Sequence, residues 1–154
     1  MTTNTRKLGR TVAAAALAAA AVVGMAGSAG AAGPKRVIWH PECIRAEQTS
    51  EPWNLGSLNA TYLCGRGFGV KMPVYELTDG TTHRFFVGSD HGVWTIWEDP
   101  EGHLAMAPLG GPVASDPRIS DYSGNYIKLE VTGTDGNTWY KTRNANGSWS
   151  GWYR

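Results

Sequence analysis

The feature that most constrains the fold of this chain is a short phrase that it contains twice. Residues 88–95 read GSDHGVWT and residues 133–140 read GTDGNTWY, so Gly133 follows Gly88 by 45 residues. An internal repeat of this length is typical of β-propeller blades and related arrays. The same offset relates six ordered pairs of residues: Val74 with Ile119, Phe86 with Val131, Asp90 with Asp135, Trp94 with Trp139, Gly102 with Gly147 and Leu104 with Trp149.

Each copy has the composition of a four-stranded antiparallel meander. Runs rich in Val, Ile, Phe, Tyr, Thr and Trp are separated by TDGT, GSDHG and DPEGH in the first copy and by SGN, GTDGN and NANG in the second. Short Gly, Asp and Pro clusters of this kind are typical of hairpin turns. The pattern predicts strands at 74–77, 83–87, 93–98 and 103–107, and then at 119–122, 126–131, 138–142 and 148–153. We therefore predict an all-β domain with no helix, in which the linker 108–118 joins the repeats 74–107 and 119–154.

Residues 32–73 carry a partial repeat at the start of the domain. Trp39 precedes Trp53 by fourteen residues, much as Trp139 precedes Trp152 by thirteen in the last repeat. We interpret 37–57 as the outer half of an earlier unit, followed by the insertion LNATYLCGRGFGVKM.

Residues 1–31 have the layout of a secretory signal peptide. Arg6, Lys7 and Arg10 precede an apolar run, and the sequence AGA offers a cleavage site before Ala32. An uncleaved anchor is the alternative, although a spanning helix needs about 20 apolar residues. The segment holds three of the 14 basic residues and none of the 13 acidic ones, so its removal changes the formal net charge from +1 to −2. We expect a secreted domain that binds no nucleic acid and, after cleavage, no membrane.

The chain has two cysteines, Cys43 and Cys64. In an exported domain such a pair is expected to form a disulfide, which would stabilise the fold by roughly 3 kcal/mol. A free reactive thiol or a two-cysteine metal site is the alternative, but no activating neighbour is visible in the sequence.

The repeated pattern G-[ST]-D-x-x-x-W, the closing SWSGW and the LGG before a Pro resemble the repeats of tachylectin-like and PLL-type bacterial and fungal lectins. The resemblance covers 74–154 well and 37–57 weakly. It implies blades of about 40–50 residues that form a β-propeller and bind sugars between neighbouring blades. A propeller needs at least four blades, and this chain supplies two and a half. The two sheets therefore pack as a small sandwich, copies of the chain assemble into a homo-oligomeric ring, or the chain is a piece of a longer propeller.

The phrase itself is also similar to the Asp box of sialidases, although both copies are one residue short of that spacing. We expect Asp90 and Asp135 to accept hydrogen bonds from turn amides and Trp94 and Trp139 to pack between the sheets. Direct contact of these four residues with a ligand is the alternative.

Other aromatic and polar side chains are better candidates for binding a ligand. Sugar recognition needs a flat apolar platform and a few polar groups, and all seven Trp lie after residue 32. A core filled with aromatic residues is the alternative. The candidate ligand-binding residues are Trp97, Tyr140, Arg143, Asn144, Trp149 and Trp152.

Catalysis finds little support in the sequence. The four His residues have no metal-ligand spacing, and the consecutive Ser89, Asp90 and His91 cannot converge as a catalytic triad. Asp99 and Glu101 read as a solvated turn. We expect no catalytic residue, metal or cofactor. Two functions remain open: a secreted carbohydrate-binding module, and a protein-binding module such as an inhibitor of an extracellular hydrolase that presents the loop 43–64.

Overall fold

The fold is all-β and antiparallel, as the sequence predicts. The computed structural model describes residues 33–154, and the predicted signal peptide at 1–31 lies outside the described residues. No helix in the described part is long and apolar enough to cross a membrane. The strands are β1 (Gly33–Trp39), β2 (Thr49–Leu55), β3 (Leu58–Cys64), β4 (Lys71–Glu76), β5 (Thr82–Val87), β6 (Val93–Glu98), β7 (Leu104–Gly110), β8 (Arg118–Ser123), β9 (Tyr126–Thr132) and β10 (Thr138–Arg143), with a 3-10 turn at Pro41–Cys43.

The strands form three sheets. The first repeat is the meander β4-β5-β6-β7, and β1 adds to its free edge by pairing Ile38 with Met72. The second repeat contains β8, β9 and β10 in a three-stranded sheet. Strands β2 and β3 form a separate hairpin, so the N-terminal segment does not stay together as one partial unit. Among the described residues no sheet closes on itself.

The fourth strand of the second repeat is interrupted. The amide of Ser150 donates to the Thr142 carbonyl at 2.8 Å, and Tyr153 exchanges two backbone hydrogen bonds with Tyr140 at 2.8 and 2.9 Å. From Ser150 to Tyr153 the edge advances by three residues, while β10 advances by two, from Thr142 to Tyr140. The edge therefore contains one extra residue, which is a bulge. The extra residue breaks the alternation of faces, so that Trp152 joins Trp149 on the inner core while Tyr153 meets the ring of Tyr140.

Five turns in the two repeats share one geometry. In each, the amide of the first residue donates to the carbonyl of the fifth, and the amide of the fourth donates back to the carbonyl of the first. The fourth residue has a positive φ, which glycine adopts without strain and which explains the recurring Asp-Gly and Asn-Gly sequences. The turns are Leu77–Thr81, Gly88–Gly92, Asp99–His103, Gly133–Asn137 and Asn144–Ser148.

The three sheets stack in layers, with the five-stranded sheet in the middle. Its strand β5 places Phe85 in the core shared with the second repeat and Phe86 in the core shared with the β2-β3 hairpin. Because both faces of this strand are covered, the consecutive residues Phe85, Phe86 and Val87 are all buried, rather than every second residue. The predicted disulfide is confirmed: Cys43 and Cys64 are bonded and fully buried, and they tie the 3-10 turn to the end of β3.

Candidate ligand-binding clefts

The two copies of the repeated phrase fold into the same hydrogen-bonded hairpin. Oδ1 of Asp90 accepts from the amide of Gly92 and from the indole Nε1 of Trp94, both at 3.0 Å. The carboxylate therefore fixes the turn and orients the indole at the same time.

The second copy repeats these contacts. Oδ1 of Asp135 accepts from the amide of Asn137 at 3.0 Å and from Nε1 of Trp139 at 3.1 Å. Hydrogen bonds from Asn137 and Trp139 hold the pKa of Asp135 at about 2. The leading glycine has no room for a side chain, because a Cβ on Gly133 would lie 2.7 Å from the Trp139 ring.

Each hairpin forms one wall of a cleft, and the opposite wall comes from β3 in the first copy and from the linker in the second. In the first copy a backbone bridge joins Tyr62 to Gly88, and in the second a bridge joins Val113 to Gly133. The cleft at Trp94 holds about 250 Å³ and the cleft at Trp139 about 300 Å³. We call these the hairpin clefts.

A third and larger cleft, of about 470 Å³, lies between the two repeats. We call it the inter-repeat cleft. Its floor comes from β5, β6 and β7, including Trp97, and its wall comes from β10 and the C-terminal edge, including Trp149. The ring of His83 connects the two indoles, since its centroid lies 6.1 Å from that of Trp97 and 6.4 Å from that of Trp149.

His83 is held neutral by its surroundings. The side chain is only 4% exposed, and its Nδ1 shares a 3.1 Å hydrogen bond with the hydroxyl of Thr95. Burial, with a smaller contribution from the charge of Arg143, lowers the pKa of His83 to about 4. The ring is therefore an uncharged, buried part of the cleft lining at neutral pH.

Charged and hydroxyl groups surround the aromatic floor. Lys141 and Arg143 alternate along β10 and both line the cleft, together with Ser150 and Asp99. Nη1 of Arg143 donates to the carbonyl of Asn125 at 2.7 Å, which fixes the guanidinium. Burial lowers the pKa of both Lys141 and Arg143. The cleft thus combines flat apolar surface with several hydrogen-bonding groups.

The structure separates the candidate residues that the sequence analysis groups together. Trp97, Arg143 and Trp149 line the inter-repeat cleft. Trp152 instead lines the neighbouring hairpin cleft, and its Nε1 donates to the carbonyl of Leu109 at 2.9 Å.

Two of the candidates lie outside all three clefts. Tyr140 points to the opposite face of its sheet, where Nζ of Lys128 lies 4.1 Å from its ring. The side chain of Asn144 donates to Ser148 within its own turn. Side chains alternate between the two faces of β10, which explains why Tyr140 lies outside the cleft. Tyr140 and Thr142 share the outer face, and the inner face carries Trp139, Lys141 and Arg143.

Sequence reasoning missed Lys141 and His83 as cleft residues. The sequence could have identified Lys141, because it lies two residues before Arg143 along a predicted strand and side chains two residues apart share a face. Nothing in the sequence signals His83, since its position depends on how the two repeats pack.

One group of metal-ligating side chains is present in the described part of the chain. Asp99, Glu101 and His103 bring three ligand atoms within 4.8 Å of one another on an exposed turn. The carboxylate of Asp99 already accepts from the amide and from Nδ1 of His103, both at 2.8 Å. These hydrogen bonds stabilise the turn, and they account for the proximity of the three side chains.

Neither a protein-family model nor a curated protein matches this sequence. The chemistry of the clefts is therefore what points to a function.

Proposed function

We propose that this protein is a secreted, non-catalytic carbohydrate-binding module whose repeats are similar to those of tachylectin-like and PLL-type lectins. The observation that carries the proposal is the inter-repeat cleft, in which Trp97 and Trp149 face a ring of polar groups. An aromatic face packs on the C–H surface of a sugar ring, and the polar rim provides partners for its hydroxyls.

The size of the cleft supports a small ligand of this kind. Its volume of about 470 Å³ falls in the range of ordinary ligand pockets, which hold roughly 300–1,000 Å³. The donors and acceptors around it are varied, with a hydroxyl from Ser150, a carboxylate from Asp99 and cations from Lys141 and Arg143. A sugar ring needs such a mixed set because each hydroxyl both donates and accepts.

The chemistry of the cleft favours binding over catalysis. His83 and Thr95 form a base–hydroxyl pair, but Thr95 is only 1% exposed and its oxygen is turned toward the His83 ring. A nucleophile has to reach the substrate, and a base works best with a pKa near the working pH. The buried Thr95 hydroxyl and the pKa of about 4 for His83 fit neither role.

The test is retention of the purified protein on a glycan array, followed by the Trp97→Ala variant. Loss of the stacking platform is expected to weaken binding about tenfold while the fold is kept, because Trp97 is only partly buried. Trp39→Ala is the matched control, since Trp39 is 52% exposed on β1 and lies outside the cleft. A parent protein that retains no glycan at millimolar concentration, or a Trp97→Ala variant that binds as well as the parent, would refute the proposal.

A protein-binding role is the second candidate, and one observation favours it. The disulfide-closed loop presents Ile44, which is 64% exposed although it is next to the fully buried Cys43. An apolar side chain held rigid beside a disulfide loses little conformational freedom on binding, which suits insertion into the cleft of an extracellular hydrolase. If this role is correct, Ile44→Asp abolishes inhibition of the target hydrolase and leaves glycan retention unchanged.

A further inference from the structure

The inter-repeat cleft holds two cations that form no salt bridge with a carboxylate of the described residues. Lys141 and Arg143 both line it, and neither forms an ion pair within 4 Å with an acidic side chain of the described residues. Burial lowers the pKa of each, so both charges are partly withdrawn from water. Nζ of Lys141 lies 5.5 Å from the Trp152 ring and Arg143 donates to the Asn125 carbonyl, but neither contact supplies a full negative charge, so this position attracts a ligand of opposite charge.

The first repeat shows that the fold does not require these charges. The positions 45 residues earlier are Ile96, which is fully buried in the core, and Glu98. Glu98 is paired with Arg84 at 2.8 Å, so the charge at that position is neutralised within the chain. Only the second repeat leaves the equivalent charge unpaired and facing a cleft.

The acidic groups near the cleft do not cancel the two cations. Asp99 also lines the cleft, and each of its oxygens accepts one hydrogen bond from His103. The charge of Asp79 raises the pKa of Arg143 against the larger effect of burial, but Asp79 is not among the residues that line the cleft. His83 is neutral in this environment. The guanidinium of Arg143 is meanwhile held in place by the Asn125 carbonyl.

We infer that the ligand of the inter-repeat cleft is an acidic sugar, that is, a saccharide with a carboxylate on its ring such as a uronic acid. This inference rests on the proposed carbohydrate-binding function and adds the chemical class of the sugar. The carboxylate accepts charge-assisted hydrogen bonds from Arg143 and Lys141 while the ring packs on Trp97. Guanidinium and ammonium groups favour carboxylates over neutral hydroxyls, because charge-assisted hydrogen bonds are about twice as strong as neutral ones.

The test compares methyl β-glucuronide with methyl β-glucoside, which share a ring and differ in the carboxylate. Binding is followed by NMR through the indole N–H signals of Trp97 and Trp149. The glucuronide is expected to bind about tenfold more tightly at low salt and to lose that advantage as the salt concentration rises. Arg143→Gln and Lys141→Gln should each remove most of the preference. Lys128→Gln is the matched control, because Lys128 is a cation on the outer face of the same sheet.

The outcomes separate the two proposals. Equal or tighter binding of the neutral glucoside overturns the acidic-sugar inference and leaves the carbohydrate-binding function intact. Failure of both sugars, and of their galacturonide and galactoside counterparts, refutes the function together with the inference. A glucuronide preference that survives both Arg143→Gln and Lys141→Gln, or that Lys128→Gln lowers equally, overturns the assignment to this cleft. If Arg143→Gln does not fold, the glucuronide preference of Lys141→Gln alone tests the assignment to this cleft.

Discussion

At the scale of single residues, one carboxylate in each copy explains the repeated phrase, because it both closes the turn and orients the indole. Asp90 and Asp135 each accept from a turn amide and from an indole Nε1. The glycine at the start of the phrase is needed because the indole lies directly over it. A Gly, an Asp and a Trp are therefore required together at this spacing.

The glycine can be tested directly. Gly133→Ala is expected to lower the free energy of unfolding by about 1–3 kcal/mol, since its Cβ would lie 2.7 Å from the hydrogen-bonded Trp139 ring. Gly151→Ala is the matched control, because a Cβ there meets nothing within 4 Å. Urea unfolding of the three proteins measures the difference, and equal stability of the two variants would contradict the account.

His83 gives the fold a pH dependence of known sign. The folded chain keeps this ring neutral down to a pKa of about 4, whereas the unfolded chain protonates it near 6.5. Stability from this group is complete above pH 6.5 and is lost as the pH falls toward 4, by about 3 kcal/mol in total.

The measurement is the free energy of unfolding at pH 7.5 and at pH 4.5 for the parent and for His83→Gln. The parent is expected to lose about 2–3 kcal/mol more between these pH values than the variant does. His103→Gln serves as the control for replacing a histidine with glutamine, because its side chain is 80% exposed. Parallel losses in the parent and in His83→Gln would show that His83 is not the titrating group.

At the scale of elements, the C-terminal edge is held by its side chains as much as by its backbone pairing. The bulge at residues 151 and 152 turns Trp152 inward, where it hydrogen-bonds the carbonyl of Leu109 on β7. This contact links the last element of the second repeat to the last strand of the first.

Trp152→Phe is therefore expected to weaken the fold rather than the ligand site. Loss of the 2.9 Å hydrogen bond to Leu109 should cost about 1 kcal/mol, and Trp152→Ala should cost about 3–5 kcal/mol. Thermal unfolding measures both, with Trp39→Phe as the control at an exposed Trp. A Trp152→Phe variant that keeps its stability but loses glycan retention would show that Trp152 belongs to the binding site.

At the scale of the whole molecule, three layers share two cores, and the disulfide secures the first layer. The Cys43–Cys64 bond closes a separation of 21 residues beside the core between the hairpin and the middle sheet. The hairpin layer contributes no strand to the middle sheet, so it depends on this core and on the bond.

Replacing both cysteines by serine should lower the free energy of unfolding by roughly 3 kcal/mol. Reducing agent should bring the parent to a similar stability and leave the double variant unchanged, which separates loss of the bond from loss of the sulfur atoms. A parent that is insensitive to reductant under unfolding conditions would contradict this role.

The sequence by itself determined the features that depend on neighbouring residues. The positions of seven strands in the two repeats, the turns and the pairing of the two cysteines could be predicted, but the eighth strand, expected at 148–153, is interrupted in the structure. Alternation with a period of two residues, turn chemistry and an even cysteine count are readable without any knowledge of packing. The turn-amide hydrogen bonds of Asp90 and Asp135 belong to the same class, because donor and acceptor lie two residues apart. Their hydrogen bonds to the indoles of Trp94 and Trp139 were not predicted.

Only the tertiary structure decided how these elements meet. β1 joins the edge of β4 instead of the hairpin, because an open strand edge elsewhere in the fold offers it backbone partners. Because of the bulge, Trp152 lines a different cleft from Trp149. Tyr140 lies on the outer face of β10 and is therefore outside the candidate site. His83, Lys141 and Trp97 come together from three strands of two sheets, and their proximity depends on the packing of one sheet against the other, which no local pattern encodes.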